Sequence, residues 1–227
     1  RPVNAVMVVA GNVTTEKVRS LAEKWFGDIP PGEKYRRNLP QEPVQSEERR
    51  QEIKADVPLD ALYKCWHMAG RLDRRYYITD ILSGGGSSRL YQTLVKEKKL
   101  FSNIECHHFG STDNGLVVVE GKLVKGVTMA DAEKAVEAEL DKIQHTRVPE
   151  SELQKVKNKT ESMIAFEDMS VMSRANSLAY YEVLGDASWM NIELEKYASV
   201  TTDDILQESR NIFRHSNCST LHYLSGN

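Results

Sequence analysis

Hydrophobic positions change period several times along this chain, and each change marks an element. The run Ala5-Val-Met-Val-Val-Ala10 is apolar and rich in β-branched residues, and Gly11-Asn12 closes it. That pattern predicts a buried strand. Thr14 or Thr15 then caps a helix whose apolar positions, Val18, Leu21, Ala22, Trp25 and Phe26, recur on one face. Gly27 and Pro30-Pro31 stop it. From Pro30 to about Gln51 periodicity disappears and Pro, Glu, Arg, Gln and Asn dominate. A stretch of about 20 residues without structure of its own reads as a linker and a domain boundary. The expected division is 1–30, a linker over 31–51, and a domain over 52–227.

Beyond the linker, Glu52 to Val57 alternates weakly and Leu62 to Met68, with Tyr, Cys and Trp, reads as a strand. A helix is expected over Asp73 to Leu82, then the run Ser83-Gly84-Gly85-Gly86-Ser87-Ser88, then a helix from Arg89 to about Lys98. Ile104 to Phe109 and Gly115 to Leu123 look like paired strands around a turn at 111–114. Thr128-x-x-Asp131 and Thr201-x-x-Asp204 resemble capping boxes, and Pro149 sits where helices start. The stretch after Pro149 reads as helical to about Leu184, with a break near Asp168, and Ser219 to Leu224 as a last strand. Hairpins mixed with helix–strand alternation indicate an α+β fold, a mixed sheet packed against helices.

Composition changes this picture little. The 227 residues carry 30 basic and 33 acidic side chains, a net charge of −3, which argues against a nucleic-acid-binding field. The longest apolar run, Ala5 to Ala10, is far short of the roughly 18 residues a membrane helix needs. Neither nucleic acid nor membrane is therefore expected as a partner. Three scattered cysteines, Cys65, Cys106 and Cys218, give no disulfide framework and point to a reducing compartment, here taken as the cytoplasm. The first residue is Arg1 and not Met, so the chain is expected to be part of a longer protein.

The glycine run has the first possible chemistry. A phosphate loop needs Gly-x-x-x-x-Gly-Lys-Ser/Thr, or Gly-x-Gly-x-x-Gly directly after a strand, and neither occurs. Two readings stay open for Gly84, Gly85 and Gly86: a sharp reversal between helices, or close approach of the backbone to an extended peptide. None of the six histidines belongs to a His-x-x-Glu-His or His-Glu-x-x-His motif. His107 and His108 are adjacent on an expected strand and point to opposite faces. No metal ligand set is therefore expected in this chain. Ser87 and Ser88 read as helix caps, and Glu150, Glu152, Asp203 and Asp204 as first-turn carboxylates. No Gly-x-Ser-x-Gly elbow is present, and no catalytic centre assembles from residue types alone.

The order of these features resembles the insulinase/pitrilysin/mitochondrial processing peptidase family. The resemblance rests on Asn4 to Val13 followed by Ala22-Glu-Lys-Trp-Phe-Gly-Asp-Ile-Pro30, on Ile81-Leu-Ser-Gly-Gly-Gly-Ser-Ser-Arg-Leu-Tyr91 with Leu94 to Lys98, on Val148 to Leu153, and on Val200 to Ile205. It implies two α+β halves closing over a peptide. The first half carries His-x-x-Glu-His and a distal Glu, which bind zinc and activate water; the second lacks the motif. Residues 1–30 then correspond to the end of the first half and 52–227 to the inactive second half. Zinc is expected only in the companion half, with no cofactor in this chain, which by itself is expected to be inactive. The implied partners are that N-terminal catalytic half, in the same chain or as a separate subunit, and a peptide substrate. The apolar residues of 1–30, Val8, Val9, Trp25 and Phe26 among them, need burial on the remaining domain or on another copy, which adds an expectation of self-association.

The resemblance also names candidate substrate contacts: Gly84, Gly85 and Gly86, expected to be among the more mobile parts of the domain, and Arg89 beside them. Allowing one missing residue, Lys96 and Ser102 stand where the family places an Arg and a Tyr. Lys lacks the planar fork of Arg, and Ser cannot deliver a phenol hydroxyl at that reach. An alternative reading is a structural or assembly module, a partner subunit without peptidase activity.

Overall fold

In a computed structural model the described residues are 1–34, 38–70, 77–110 and 113–226. In chain order the elements are α1 (Thr15–Phe26), β1 (Arg49–Ala55), β2 (Ala61–Met68), α2 (Tyr77–Ser83), a π-helical segment (Tyr91–Glu97), β3 (Phe101–Phe109), β4 (Gly115–Leu123), α3 (Met129–His145), α4 (Glu150–Glu167), α5 (Val171–Leu184), α6 (Glu193–Ala198), α7 (Thr202–Ile212) and β5 (Cys218–Ser225). The fold is α+β. Two compact units are present, 1–41 with 159–198, and 42–158 with 199–227.

The larger unit holds all five strands in the order β1-β5-β2-β4-β3. β1 and β5 run parallel, joining the first and last strands of the unit, and the other neighbours are antiparallel. One sheet face is buried. Leu62 and Trp66 of β2, Ile104 and Cys106 of β3, Val117 and Val119 of β4 and Cys218 of β5 alternate onto it. Tyr77, Ile78, Ile81 and Leu82 of α2, Val136, Leu140 and Ile143 of α3 and Ile205 and Ile212 of α7 complete the same core. The Trp66 and Phe213 rings meet edge to face at 5.1 Å. Gly121 is required on β4 because a Cβ there would lie 2.6 Å from the Phe101 ring.

The buried face also carries a charged network. Lys64 Nζ donates to Glu133 (2.7 Å), Glu137 (3.0 Å) and Thr220 (3.0 Å). Arg50 donates to Glu133 at 2.6 Å, and His222 Nε2 lies 2.9 Å from the same carboxylate. Burial alone would raise the Glu133 pKa, but hydrogen bonds from Lys64, Arg50 and His222 outweigh it and hold it at about 2. The sheet's other face is half-exposed: Tyr63, Cys65 and His67 of β2, Leu116, Val118 and Glu120 of β4, and Leu221 and Tyr223 of β5.

In the smaller unit, Thr14 caps α1 and Gly27 ends it, as its sequence implies. Ser170 caps α5 after the expected break, and Gly185, at φ 137°, ends it. Asp186 then caps a 3₁₀ segment, Ala187–Ile192, which the sequence pattern does not announce. α1 buries no residue: Leu21, Trp25 and Phe26 are 46%, 67% and 53% exposed.

Several expectations need correction. Ala5 to Ala10 is not a strand; it lies outside every strand ladder among the described residues, and Met7 and Val9 are exposed. An apolar run becomes a strand only where a neighbouring strand takes its N–H and C=O groups, and none of the five pairs with it. The segment expected to stay irregular to Gln51 enters β1 at Arg49. Just before it, Gln45 is buried and donates to Cys218 O at 2.7 Å. The helix after the glycine run is π-helical over Tyr91–Glu97, a hydrogen-bonding pattern that α-helical spacing does not reveal. Of the helix expected over 73–82, Tyr77–Leu82 is helical, and 73–76 lies outside the described residues, as do 111–112 of the expected turn.

Candidate functional site

The glycine run joins α2 to the π-helical segment, and its three glycines have different reasons to be there. Gly84 continues the last turn of α2, its N–H bonding Asp80 O at 2.6 Å, and a Cβ would lie 2.3 Å from that oxygen. Gly85 has φ +127°, a backbone conformation open to glycine. Gly86 has neither constraint: a Cβ would meet nothing closer than the Tyr91 ring at 4.0 Å. The fold therefore explains Gly84 and Gly85, while Gly86 leaves bare backbone facing open space.

The loop does not hang free. Ser88 Oγ donates to Gly85 O at 2.6 Å, and the Gln92 side-chain amide donates to Gly86 O. Lys155 Nζ of α4 reaches Ser87 O at 3.3 Å and Ser87 Oγ at 3.1 Å. Expected mobility thus meets a loop tied at Gly85, Gly86 and Ser87. Arg89 forms a fork on Glu152 of α4, Nε to Oε1 at 3.0 Å and Nη2 to Oε2 at 2.7 Å, with both side chains largely shielded. Its guanidinium anchors the segment after the loop to the start of α4.

Lys96 is exposed, with Nζ 5.5 Å from the centre of the Tyr91 ring, five residues back along the π-helix. The helix ends with Lys98 N–H on Thr93 O and Lys99 at φ 53°. Ser102 follows at the start of β3, exposed, at a register irregularity, and donates to Lys122 O at 3.1 Å. The six candidates therefore lie along one continuous stretch, 84–102. Lys96 is its freest side chain, and Gly86, tied through its carbonyl by Gln92, its barest backbone.

The histidines are dispersed. His108 meets Thr79 at 3.3 Å, His145 Nδ1 lies 2.9 Å from Asp141 O, His215 faces Glu48, and His222 belongs to the Glu133 network. They do not fit a catalytic zinc of the His-x-x-Glu-His kind. His107 and His108 do face opposite sides, as expected, but His107 has company that spacing along the chain cannot show. Glu105, His107 and Glu120 bring ligand atoms within 4.8 Å of one another. A cleft of about 740 Å³ at one end of the sheet is lined by His67, Met68, Phe109 and Leu116 of the strands and by Glu208 and Ile212 of α7, among others. Cys106 is a buried core residue, and burial pushes its thiol pKa up, disfavouring the thiolate.

Residues 1–160 match the family described as the peptidase M16 inactive domain. No curated protein matches the chain. Solved structures share the fold at low identity. A protease from Helicobacter pylori is 20% identical with a TM-score of 0.84 over 94% of this chain and 54% of its own. The inactive domain of a peptidase M16 from Pseudomonas fluorescens is 13% identical with a TM-score of 0.77, covering 96% and 52%. An inactive peptidase domain from Bordetella parapertussis is 18% identical with a TM-score of 0.66, covering 76% and 96%. This chain thus spans about half the length of the Helicobacter pylori and Pseudomonas fluorescens chains it resembles.

Proposed function

The chain belongs to the peptidase M16 inactive-domain family, and from that premise we propose that it is the non-catalytic half of a two-half zinc metallopeptidase, forming part of the chamber wall and contacting the peptide. The peptide contact rests on one observation. Gly86 is a glycine that neither backbone conformation nor packing demands, beside two that are demanded. Missing side chains where space is open suit the close approach of another backbone. The half-exposed sheet face, with Tyr63, Leu116, Val118, Leu221 and Tyr223, supplies apolar and aromatic surface for an extended chain.

The companion half would hold the zinc and the water it activates, and no step of hydrolysis is assigned to residues of this chain. Their work is binding and orientation. Lys96 offers a positive charge to peptide carbonyl or carboxylate groups. Arg89, through Glu152, sets where the loop stands. The exposed apolar residues of 5–26 suit burial in the companion half, where Ala5 to Ala10 would find strand partners. The commitment of Arg89 to Glu152 also favours a second reading, a scaffold subunit without peptide contact.

Gly86→Val separates the two readings. With the chain joined to a companion half carrying His-x-x-Glu-His, the variant should raise KM or lower kcat/KM for a fluorogenic peptide by about tenfold or more, a loss of about 1.4 kcal/mol of binding. Unchanged kinetics with unchanged stability would leave the scaffold reading.

A further inference from the structure

We propose that Glu105, His107 and Glu120 form a binding site for a zinc-class divalent cation on the open face of the sheet. β3 and β4 are antiparallel, and Glu105 stands directly opposite Glu120 in their register. His107 lies two residues beyond Glu105 on the same strand, so all three side chains leave one face. Their ligand atoms fall within 4.8 Å of one another. A cation bound at about 2.0–2.2 Å from each needs them somewhat closer, a closure within the reach of two glutamate side chains.

The pairing has no explanation in the sheet itself. Like charges directly opposite each other on neighbouring strands are destabilising. Among the described residues, the Glu120 carboxylate has no hydrogen bond or ion pair, and Lys122, next to it on the same face, bridges to neither glutamate. Glu105 has only the Asn103 amide, at 3.2 Å, which steadies its carboxylate. Phe109 packs edge-on against the His107 ring at 4.7 Å and fixes its plane. Two carboxylates kept together with no ion pair among the described residues, beside an oriented imidazole, are what a divalent cation would neutralise.

The donor set decides which cation. An imidazole with two carboxylates suits zinc and its transition-metal neighbours, whereas calcium and magnesium favour oxygen-only cages. Three protein ligands leave a position for water or for an anionic group of a bound molecule. The proposal departs from the expectation of no metal ligands in this chain. Weighing His107 against its neighbour His108 could not reveal Glu120, which only the β3–β4 pairing brings alongside.

The test is titration of the full chain with zinc by calorimetry, with cobalt absorption as a spectroscopic readout of ligand geometry. One equivalent should bind, and His107→Ala and the isosteric Glu120→Gln should each weaken it by about tenfold or more. His67→Ala, elsewhere on the same face, should leave affinity unchanged. Circular dichroism checks that each variant is folded. Absence of zinc binding by the unaltered chain overturns the proposal. So does affinity unchanged from the parent in both site variants, or loss on His67→Ala alone.

Discussion

Single residues carry the clearest energetic expectations. Gly85→Ala forces a side chain onto φ +127° and should cost about 1–3 kcal/mol in chemical denaturation. Gly86→Ala has open space and should stay within about 0.5 kcal/mol of the parent. Equal costs would mean that the three glycines are not distinguished as their surroundings imply. Lys64 is buried among Glu133, Glu137 and Thr220; Lys64→Met takes one of three partners from Glu133, leaving Arg50 and His222, and should cost about 1–3 kcal/mol. Glu133 itself titrates at about 2 when folded, against 4.5 as the ordinary value. Its folded pKa is depressed, so its contribution is complete above about pH 4.5 and fades as pH falls toward about 2. Urea unfolding of the parent and Glu133→Gln across that window should show their stability difference shrinking with acidification. A constant difference would contradict the network. None of this was legible beforehand: Lys64 reads as an ordinary polar position in an alternating strand, and its acidic partners come from α3, far along the chain.

At the scale of elements, legibility follows locality. Caps and stops are written within four residues, and so Thr14, Thr128, Ser170 and Thr201 each accept a backbone N–H where a helix begins. At Thr201 the box is reciprocal, with Asp204 accepting from the Thr201 N–H at 2.8 Å. Thr201→Ala should therefore cost about 1 kcal/mol, read as a shift in thermal midpoint; no shift would show the cap to be idle. Strands β2, β3, β4 and β5 are legible in their runs of apolar and aromatic residues and, for β3 and β4, in the turn between them. Failures came where the decisive partner is distant or absent. β1 is a charged segment, Arg49-Arg-Gln-Glu-Ile-Lys-Ala55, and becomes a strand through its parallel pairing with β5. The apolar run at Ala5 to Ala10 has the composition of a strand and no pairing partner among the described strands. The stretch 84–102 was legible as a glycine run between helices, but the π-helical turn, the Arg89–Glu152 fork and the separate reasons for three glycines depend on contacts that no spacing rule encodes.

For the whole molecule, the proposal is that this chain works as one half of a two-half peptidase and contributes to peptide binding. Among the described residues no His-x-x-Glu-His zinc centre assembles, and apolar residues of 5–26 are exposed while one face of the sheet is half-exposed. The most direct measurement is a peptide-cleavage assay in which a companion half carrying His-x-x-Glu-His is tested alone, with this chain, and with its Gly86→Val variant. Negligible turnover is expected from either half alone, cleavage when both are combined, and a loss of about tenfold or more in kcat/KM with the variant. Full cleavage by the companion half without this chain, or chelator-sensitive cleavage by this chain without the companion, would contradict it.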